Sequence, residues 1–205
     1  MKCSIVDIHT HRPTGKALEP SFAGIHPWQA ETRRIEEIVP RFGEVDLIGE
    51  IGLDYAGTVG REAQLRIFRE QLDWAERLGK PVVLHCVKAF EAVIRELAPH
   101  TLRAVIFHGF IGSSQQAAEA VKKGYYLSFG ERTFRSPRTV EALRRTPVEN
   151  LFAETDESDV PIEEIYRRIA RAKDLDPELL KCAIYRNYRA VSYTHLRAHE
   201  TSQDL

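Results

Sequence analysis

QLRIFREQLDWAERLGKPVVLHC, residues 64–86, is the stretch that decides the fold of this chain. Its apolar residues recur at spacings of three and four from Leu65 onward, which predicts an amphipathic helix over 60–78. We expect the helix to end there, because Gly79 suits the position after a helix and Pro81 cannot continue one. The run PVVLHCV that begins at Pro81 is almost continuously apolar, which predicts a strand buried on both faces.

The same alternation of short apolar runs and helical patterns extends over most of the chain. The predicted strands cover 3–9, 21–26, 45–53, 81–87, 103–110, 124–130 and 151–156, and the predicted helices cover 60–78, 89–97, 113–123, 137–146, 162–172 and 177–188. Strands that are joined by helical crossovers run parallel. The sequence therefore predicts an α/β domain, and so many repeats favour a TIM-type (β/α) barrel over an open sheet.

Polar side chains stand at the carboxyl ends of the predicted strands, and their position also favours a barrel. They are His9, His11, His26, Glu50, His85, His108 and Asp156. In a barrel these ends converge on one mouth, which is where active sites are built. In an open sheet they would be spread along an edge.

Two short motifs in the first quarter of the chain suggest a metal site. In Asp7-Ile8-His9-Thr10-His11, the period of two places both imidazoles on one face, where they can bind the same cation. Glu50 lies inside an apolar strand, and a buried carboxylate needs cations or donors nearby. It could pair with an arginine inside the barrel, or its two oxygens could bridge two metals.

His85 and His108 each follow a buried apolar run, and Asp156 ends LFAETD in the same way. One such histidine alone is more often a core residue than a ligand, but two on consecutive strands favour ligands. Four His, one Glu and one Asp suffice for two cations about 3.5–4 Å apart. These donors suit Zn²⁺ or Mn²⁺, whereas Mg²⁺ prefers more oxygen. Asp156 would bind metal or act as general base, so a metal-dependent hydrolase is predicted.

The composition of the chain restricts its possible binding partners and its cellular location. The 205 residues carry a formal net charge of −1, so no basic field indicates nucleic-acid binding, although metal ions can supply positive charge locally. Three cysteines without regular spacing argue against a disulfide framework and favour a reducing compartment. No apolar run approaches the about 18 residues of a membrane span. We expect a cytoplasmic protein with no cleavable signal and no obligate protein partner.

Seven motifs together resemble one known family. DIHTH (7–11), AGIHPW (23–28), IGEIGLDY (48–55), PVVLHCV (81–87), FHGF (107–110), GYYLSFG (124–130) and FAETD (152–156) are similar, in order and wording, to those of the TatD-type metal-dependent deoxyribonucleases of the amidohydrolase superfamily. The resemblance implies a TIM-type barrel with two divalent cations (Zn, Mn or Mg). It also implies hydrolysis of DNA phosphodiesters, often exonucleolytic, with single-stranded or end-frayed DNA as substrate.

The resemblance also implies roles for individual residues. His9, His11 and Asp156 would bind one metal, and His85 and His108 would bind the other, with Glu50 as the bridging ligand. His26 would contact substrate, and Glu154 would orient a ligand. Glu50 and Asp156 are the predicted catalytic pair. A nuclease also needs basic side chains at the rim to contact phosphate. The candidates are Arg12, Lys16, Lys88, Arg132 and Arg135, with Arg12 taken as a substrate-binding residue.

The chain departs from the family pattern between its first two motifs. Only residues 12–22 separate them, where the family has a complete βα unit. The sequence thus predicts a contracted barrel of about seven strands, with the second βα unit reduced to 16–20 or missing. Glu157 adds a negative charge near the mouth, which does not favour an anionic substrate.

Two rival functions and one domain boundary complete the expectations. A related metal hydrolase acting on an ester, lactone or amide would need the same donors, since the fold does not decide the substrate. A non-catalytic barrel relic is disfavoured because all six donors are intact. We expect one domain over 1–190 and an atypical tail over 191–205 that is not native sequence. In this tail His195 and His199 lack the glutamate of an HExxH zinc motif.

Overall fold

The computed structural model describes residues 3–192. The strands are β1 (Phe22–Ala23), β2 (Leu47–Asp54), β3 (Val82–Val87), β4 (Val105–Phe107), β5 (Tyr126–Phe129) and β6 (Leu151–Ala153). The α-helices are α1 (Val39–Phe42), α2 (Arg61–Leu78), α3 (Phe90–Leu97), α4 (Ser114–Lys122), α5 (Pro137–Arg145), α6 (Ile162–Lys173) and α7 (Pro177–Ser192). Short 3₁₀ helices cover Pro27–Gln29, Ile35–Glu37, Glu131–Arg135 and Val148–Asn150.

The six strands form one parallel sheet in the order β1-β2-β3-β4-β5-β6. Each neighbouring pair of strands from β2 to β6 is joined through a helix, as the predicted alternation requires. All the carboxyl ends of the strands therefore lie at the same end of the sheet. The helices cover the sheet with buried apolar side chains, and Phe68 and Leu72 of α2 are fully buried.

The N-terminal segment, residues 3–11, joins the edge of this sheet without forming a regular strand. The amide of Ile8 donates to Ala153 O at 3.1 Å, and an isolated parallel bridge connects Thr10 with Asp156. On its other side a second parallel bridge pairs Val6 with Leu18. The strand predicted over 3–9 is thus reduced to isolated bridges, and Leu18 is what remains of the second strand. The reduction predicted around 16–20 is observed.

Two buried glutamines of α2 bind backbone groups beside the predicted site with their side chains. The Gln71 side chain accepts from Ile25 N at 2.6 Å and donates to Ile25 O at 3.1 Å. The Gln64 side chain accepts from Asp54 N at 2.7 Å and donates to Asp54 O at 2.9 Å. Buried peptide groups need such partners. The contact of Gln71 fixes the backbone next to His26, and the contact of Gln64 fixes the carboxyl end of β2, the strand that carries Glu50.

Two helix ends lie where the capping residues in the sequence predicted them. Helix α2 ends at Gly79, whose φ of 58° is the left-handed conformation that glycine tolerates. Ser113 caps α4 by accepting from Gln116 N, as expected of one of the two serines there. No helix among residues 3–192 is long and apolar enough to cross a membrane.

One covalent feature contradicts the sequence analysis. Cys3 and Cys182 form a disulfide that links the N-terminal segment to α7, although the cysteine count argued against disulfides. The two positions are 179 residues apart, and no local spacing indicates their pairing. Cys86 is free, and burial raises the pKa of its thiol to about 12.

The predicted boundary after residue 190 falls within α7. Val191 is buried and Ser192 is the last residue of that helix. The predicted tail from 193 onward, with His195 and His199, lies outside the described residues. Its assignment as non-native sequence stays a prediction.

Candidate metal centre

The carboxylate of Glu50 lies at the centre of a ring of imidazoles. Its Oε1 is 2.7 Å from His9 Nε2 and 2.9 Å from His11 Nε2. Its Oε2 is 3.3 Å from both His26 Nε2 and His85 Nδ1. These residues come from the N-terminal segment, the loop after β1, and strands β2 and β3, so the strand ends bring them together.

Two further predicted donors complete the ring. His108 Nε2 lies 3.2 Å from Glu50 Oε2. Asp156 Oδ1 lies 3.6 Å from His11 Nε2 and 3.8 Å from His9 Nε2. All six predicted ligands therefore meet at one place. His26, which was expected to contact substrate, lies as close to Glu50 as His85 does.

The local backbone explains how Glu50 and His85 face each other. The register between β2 and β3 shifts between Ile48 and Ile51, and such a bulge redirects the side chain at that point. Gly52 has a φ of 138°, and a Cβ there would lie 2.0 Å from His85 O. Only glycine fits at that position, so it lets β2 approach β3 closely beside the site.

Asp156 is held in place by the backbone of the N-terminal segment. Its amide donates to His9 O at 3.0 Å, and Asp156 O accepts from His11 N at 3.0 Å. Asp156 itself has a φ of 55°, a conformation that is uncommon for residues other than glycine. Such strain occurs at functional sites where the surroundings over-determine it.

The charges around Glu50 are strongly coupled. Burial raises the pKa of Glu50, but hydrogen bonds from His108, His26, His85 and His9 outweigh it and hold the pKa far below its usual range. Burial lowers the pKa of His108, yet Glu154 and Glu50 together raise it to about 10. Burial and the neighbouring Glu154 charge raise the pKa of Asp156. The metal-free site thus keeps Glu50 ionised beside a protonated His108.

These residues fit divalent cations. One ligand atom from each of His9, Glu50, His108 and Asp156 can lie within 4.8 Å of the others, and so can atoms of His26, Glu50 and His85. Glu50 belongs to both sets, as a bridging ligand would. Among residues 3–192 the ion pairs of Glu50 are all with histidines, which argues against the alternative of a Glu–Arg pair in the barrel. Imidazole and carboxylate donors suit Zn²⁺ or Mn²⁺.

Three carboxylates lie behind the ligands: Glu154 and Asp54 face His108 and His85, and Asp7 holds Thr155 next to Asp156. Glu154, which was predicted to orient a ligand, is buried with Oε1 3.7 Å from His108 Nδ1, and it accepts from the amide of Gly109. Asp7 accepts from both the amide and the hydroxyl of Thr155, at 2.9 and 2.6 Å, and burial raises its pKa to about 7. The third is Asp54.

Sequence reasoning missed Asp54 and Trp28. Asp54 Oδ2 lies 3.2 Å from His85 Nε2 and accepts from Trp28 Nε1 at 2.7 Å. The only signal for Asp54 was an acidic residue at the very end of an apolar strand. Nothing in the sequence indicated that Trp28 would reach it.

Two cavities meet at the ring of ligands. One, of about 680 Å³, is lined by His85, His108 and Asp156 together with Lys88, Arg132 and Arg135. The other, of about 660 Å³, is lined by Glu50, His85 and His108 together with Trp28, Arg33 and Arg41. Both thus carry basic side chains toward the predicted metal site.

Two predicted rim residues lie outside these cavities. Arg12 is exposed and pairs with Asp159, an acidic residue of the larger cavity's lining. Lys16 is exposed and lines neither cavity. The structure therefore places three of the five basic candidates, those of the larger cavity, next to the ligands.

A parallel α/β fold with a histidine–carboxylate cluster at its strand ends is the kind of site on which metal-dependent hydrolases are built. Residues 16–192 match the sequence model of the family described as TatD related DNase, and the chain belongs to this family. The predicted family is thereby confirmed.

Relatives by sequence carry matching descriptions. The chain is 33% identical over 157 residues to the uncharacterized metal-dependent hydrolase YjjV of Escherichia coli (strain K12), covering 70% of this chain and 61% of YjjV. It is 33% identical over 149 residues to the 3'-5' ssDNA/RNA exonuclease TatD of Citrobacter koseri, covering 66% of this chain and 56% of that protein. The chain spans only about half to three fifths of the length of such curated relatives.

Solved structures support the predicted fold class. The crystal structure of YjjV from Escherichia coli K12 superposes with a TM-score of 0.77 at 25% identity, covering 85% of this chain and 76% of that one. A TatD family hydrolase from Entamoeba histolytica superposes with a TM-score of 0.74 at 17% identity, covering 87% and 76%, and shows the fold alone. The fold is a contracted TIM-type barrel whose hydrogen-bonded sheet has six strands between residues 3 and 192.

Proposed function

We propose that this protein hydrolyses phosphodiester bonds of single-stranded or end-frayed DNA, from an end, with two divalent cations. The observation that carries the proposal is the position of Glu50, whose two oxygens face different sets of imidazoles. His9 and His11 face Oε1, and His85 and His108 face Oε2, so each oxygen has its own nitrogen donors. That arrangement supports a pair of cations sharing one carboxylate.

Each residue has a defined task in the proposed reaction. His9, His11 and Asp156 would hold one cation, His85 and His108 would hold the other, and Glu50 would be shared between them. His26 lies beside Glu50, where it could bind a cation or a phosphate oxygen. Divalent cations in such a site supply an acidified water as nucleophile and positive charge for the phosphate oxygens. Asp156 would accept a proton from the attacking water.

Basic side chains of both cavities are proposed to bind the strand on either side of the cleaved bond. Arg132 lines both cavities, Lys88 lines one, and Arg41 lines the other. Arg12 is less suited to this than the sequence suggested, because its guanidinium pairs with Asp159. Single-stranded DNA as substrate is also consistent with the name of the relative from Citrobacter koseri, 3'-5' ssDNA/RNA exonuclease TatD.

A second function is favoured by one observation. Glu131, Glu157 and Asp159 line the larger cavity, and their charge opposes an anionic substrate. A neutral ester, lactone or amide would not meet this repulsion. The donor set would serve such a substrate equally well, so only the choice of substrate separates the two functions.

The experiment that separates them begins with removal of metal by chelation and dialysis. The metal-free protein should not cleave a single-stranded oligonucleotide, and Mn²⁺, Zn²⁺ or Mg²⁺ should restore cleavage. Elemental analysis of the reloaded protein should find two cations per chain. A reloaded protein that cleaves p-nitrophenyl acetate or a lactone but no oligonucleotide would establish the second function instead. Glu62→Gln, a change to an exposed carboxylate at the start of α2, is the control for handling.

A cytoplasmic location is retained as a proposal. Its argument from cysteine usage no longer applies, because Cys3 and Cys182 are paired and disulfides are rare in reducing compartments. Mass spectrometry of the protein isolated under alkylating conditions from its native cells would show whether this pair exists there as a disulfide.

A further inference from the structure

Trp28 is a large aromatic side chain that is exposed and yet firmly held. The residue is 62% exposed and lies in the short 3₁₀ helix Pro27–Gln29. The indole Nε1 donates to Asp54 Oδ2 at 2.7 Å, and the backbone amide donates to His26 Nδ1 at 3.2 Å. Core packing does not explain a residue so open to solvent.

The indole stands beside the candidate metal centre. Its ring centroid lies 4.6 Å from that of His26 and 6.0 Å from that of His85, edge to face in both cases. It lines the same cavity of about 660 Å³ as Glu50. An exposed aromatic face therefore lies one side chain away from the residues proposed to bind the cleaved phosphate.

The surroundings of this cavity fit an unpaired nucleotide. Arg41 and Arg132 line it together with Trp28, so that an aromatic face and cationic groups share one space. A single strand is bound by this combination, since bases stack on aromatic rings and phosphates contact basic side chains. An indole that is held by its Nε1 hydrogen bond, on a backbone that is itself hydrogen-bonded, loses little conformational freedom when a base stacks on it.

We propose that Trp28 stacks on the nucleobase adjacent to the cleaved phosphodiester. The proposal rests on the proposed function and deepens it, because it selects nucleic acid with accessible, unpaired bases. A base within a duplex has both faces covered by its neighbours and cannot stack on Trp28. The chemical class of ligand is thus a single-stranded nucleic acid, bound through a base as well as through phosphate.

A different role for Trp28 must be distinguished from this one. Trp28 donates to Asp54, which contacts His85, so the indole could act only by positioning a metal ligand. Phenylalanine keeps an aromatic face and loses the donor, whereas alanine loses both. Stacking predicts that Trp28→Phe retains most of the binding, and positioning predicts that both changes are equally harmful and reduce the metal content.

Binding is measured on the full metal-loaded chain with a phosphorothioate-linked oligothymidylate, which resists hydrolysis. The chain has two tryptophans, and Trp74→Phe leaves Trp28 as the fluorescent reporter. A stacked base should quench its emission, and an oligonucleotide of the same length with abasic residues should not. Trp28→Ala should weaken binding of the oligothymidylate on the order of tenfold and leave binding of the abasic strand unchanged. Metal content measured in parallel should equal that of the wild type.

The outcomes separate the two proposals. Equal binding of oligothymidylate by wild type and Trp28→Ala overturns the stacking role while leaving the proposed function intact. Equal losses in Trp28→Phe and Trp28→Ala, together with reduced metal content, also overturn it and assign positioning. A metal-loaded wild type that binds neither strand overturns both proposals. Leu179→Ala, which removes an exposed apolar side chain on α7, is the matched control and should change nothing.

Discussion

Asp54 holds the ring of His85 from the side opposite Glu50. Asp54 Oδ2 lies 3.2 Å from His85 Nε2, while His85 Nδ1 lies 3.3 Å from Glu50 Oε2. An imidazole whose one nitrogen binds a carboxylate presents the other nitrogen to a metal in a fixed orientation and tautomer. Burial raises the pKa of Asp54, but hydrogen bonds from Trp28, the Ala56 amide and His85 lower it by a larger amount. The net pKa is therefore below its usual value, and Asp54 stays ionised.

Asp54→Asn should therefore weaken metal binding at the His85 side of the site. Loss of such a supporting carboxylate typically costs about 10–100-fold in metal affinity. Competition with a chromophoric chelator should show one of two cations bound more weakly and the other nearly unchanged. Asp46→Asn is the matched control. Asp46 directly precedes the amino end of β2, away from the site, and its carboxylate accepts a hydrogen bond from the amide of Ser21. Equal affinities in both variants would refute the supporting role of Asp54.

Glu50→Gln should affect both cations at once. Glutamine keeps the volume of the side chain but removes the charge that faces His9 on one oxygen and His108 on the other. Loss of a shared ligand should exceed the about 100-fold cost of losing a supporting residue. Elemental analysis should find fewer than one cation per chain after dialysis, and hydrolysis should fall with it. Retention of two cations would show that Glu50 does not bridge them.

The pattern of strands and helices was predictable because its signals are local. Helix α2, predicted over 60–78, is observed at Arg61–Leu78, since its apolar spacing and the following glycine act within a few residues. The N-terminal segment was predicted as a strand and forms only bridges. Its partner, Leu18, belongs to a contracted region that is too short to continue a ladder.

The candidate ligands were predictable for a different reason. Each lies within or just after a predicted strand, and a barrel of parallel strands brings their carboxyl ends together at one mouth. Asp54 and Trp28 were missed because their roles depend on which side chains they meet. The Cys3–Cys182 disulfide joins positions 179 residues apart, and the pairing of Arg12 with Asp159 likewise depends on tertiary contacts.

The metal-free protein should become less stable as pH rises from 7 to 9. Glu154 and Glu50 raise the pKa of His108 to about 10, against about 6.5 in the unfolded chain. A raised pKa contributes stability that is complete below pH 6.5 and disappears as pH rises through the folded pKa. The window lies above the pKa of Asp7, about 7, and Cys86 contributes only at its upper end, because its thiol ionises in the unfolded chain from about pH 8.5. The free energy of unfolding should fall by about 2 kcal/mol across it.

Urea unfolding in the presence of a chelator measures this slope, and His108→Gln should remove it. The same proton must leave when a cation binds His108, so metal affinity should increase over the same pH range. Calorimetry in buffers of different ionisation enthalpy should detect one proton released per chain near pH 8. A slope that is unchanged in His108→Gln would assign the titration to another group.

Asp156→Asn should impair turnover more than metal binding. Asp156 Oδ1 lies 3.8 Å from His9 Nε2 and 3.6 Å from His11 Nε2, and an asparagine would keep an oxygen ligand at that place. The amide could not accept the proton of the attacking water. Loss of a general base typically costs about 10²–10⁴-fold in rate. Single-turnover kinetics with an oligonucleotide at saturating Mn²⁺ should show that loss, with metal content close to that of wild type. Asp159→Asn, a change to an exposed carboxylate of the same cavity, should retain the wild-type rate constant. If Asp156→Asn instead loses its cations and regains full activity at higher Mn²⁺, Asp156 acts only as a ligand and the base is another group.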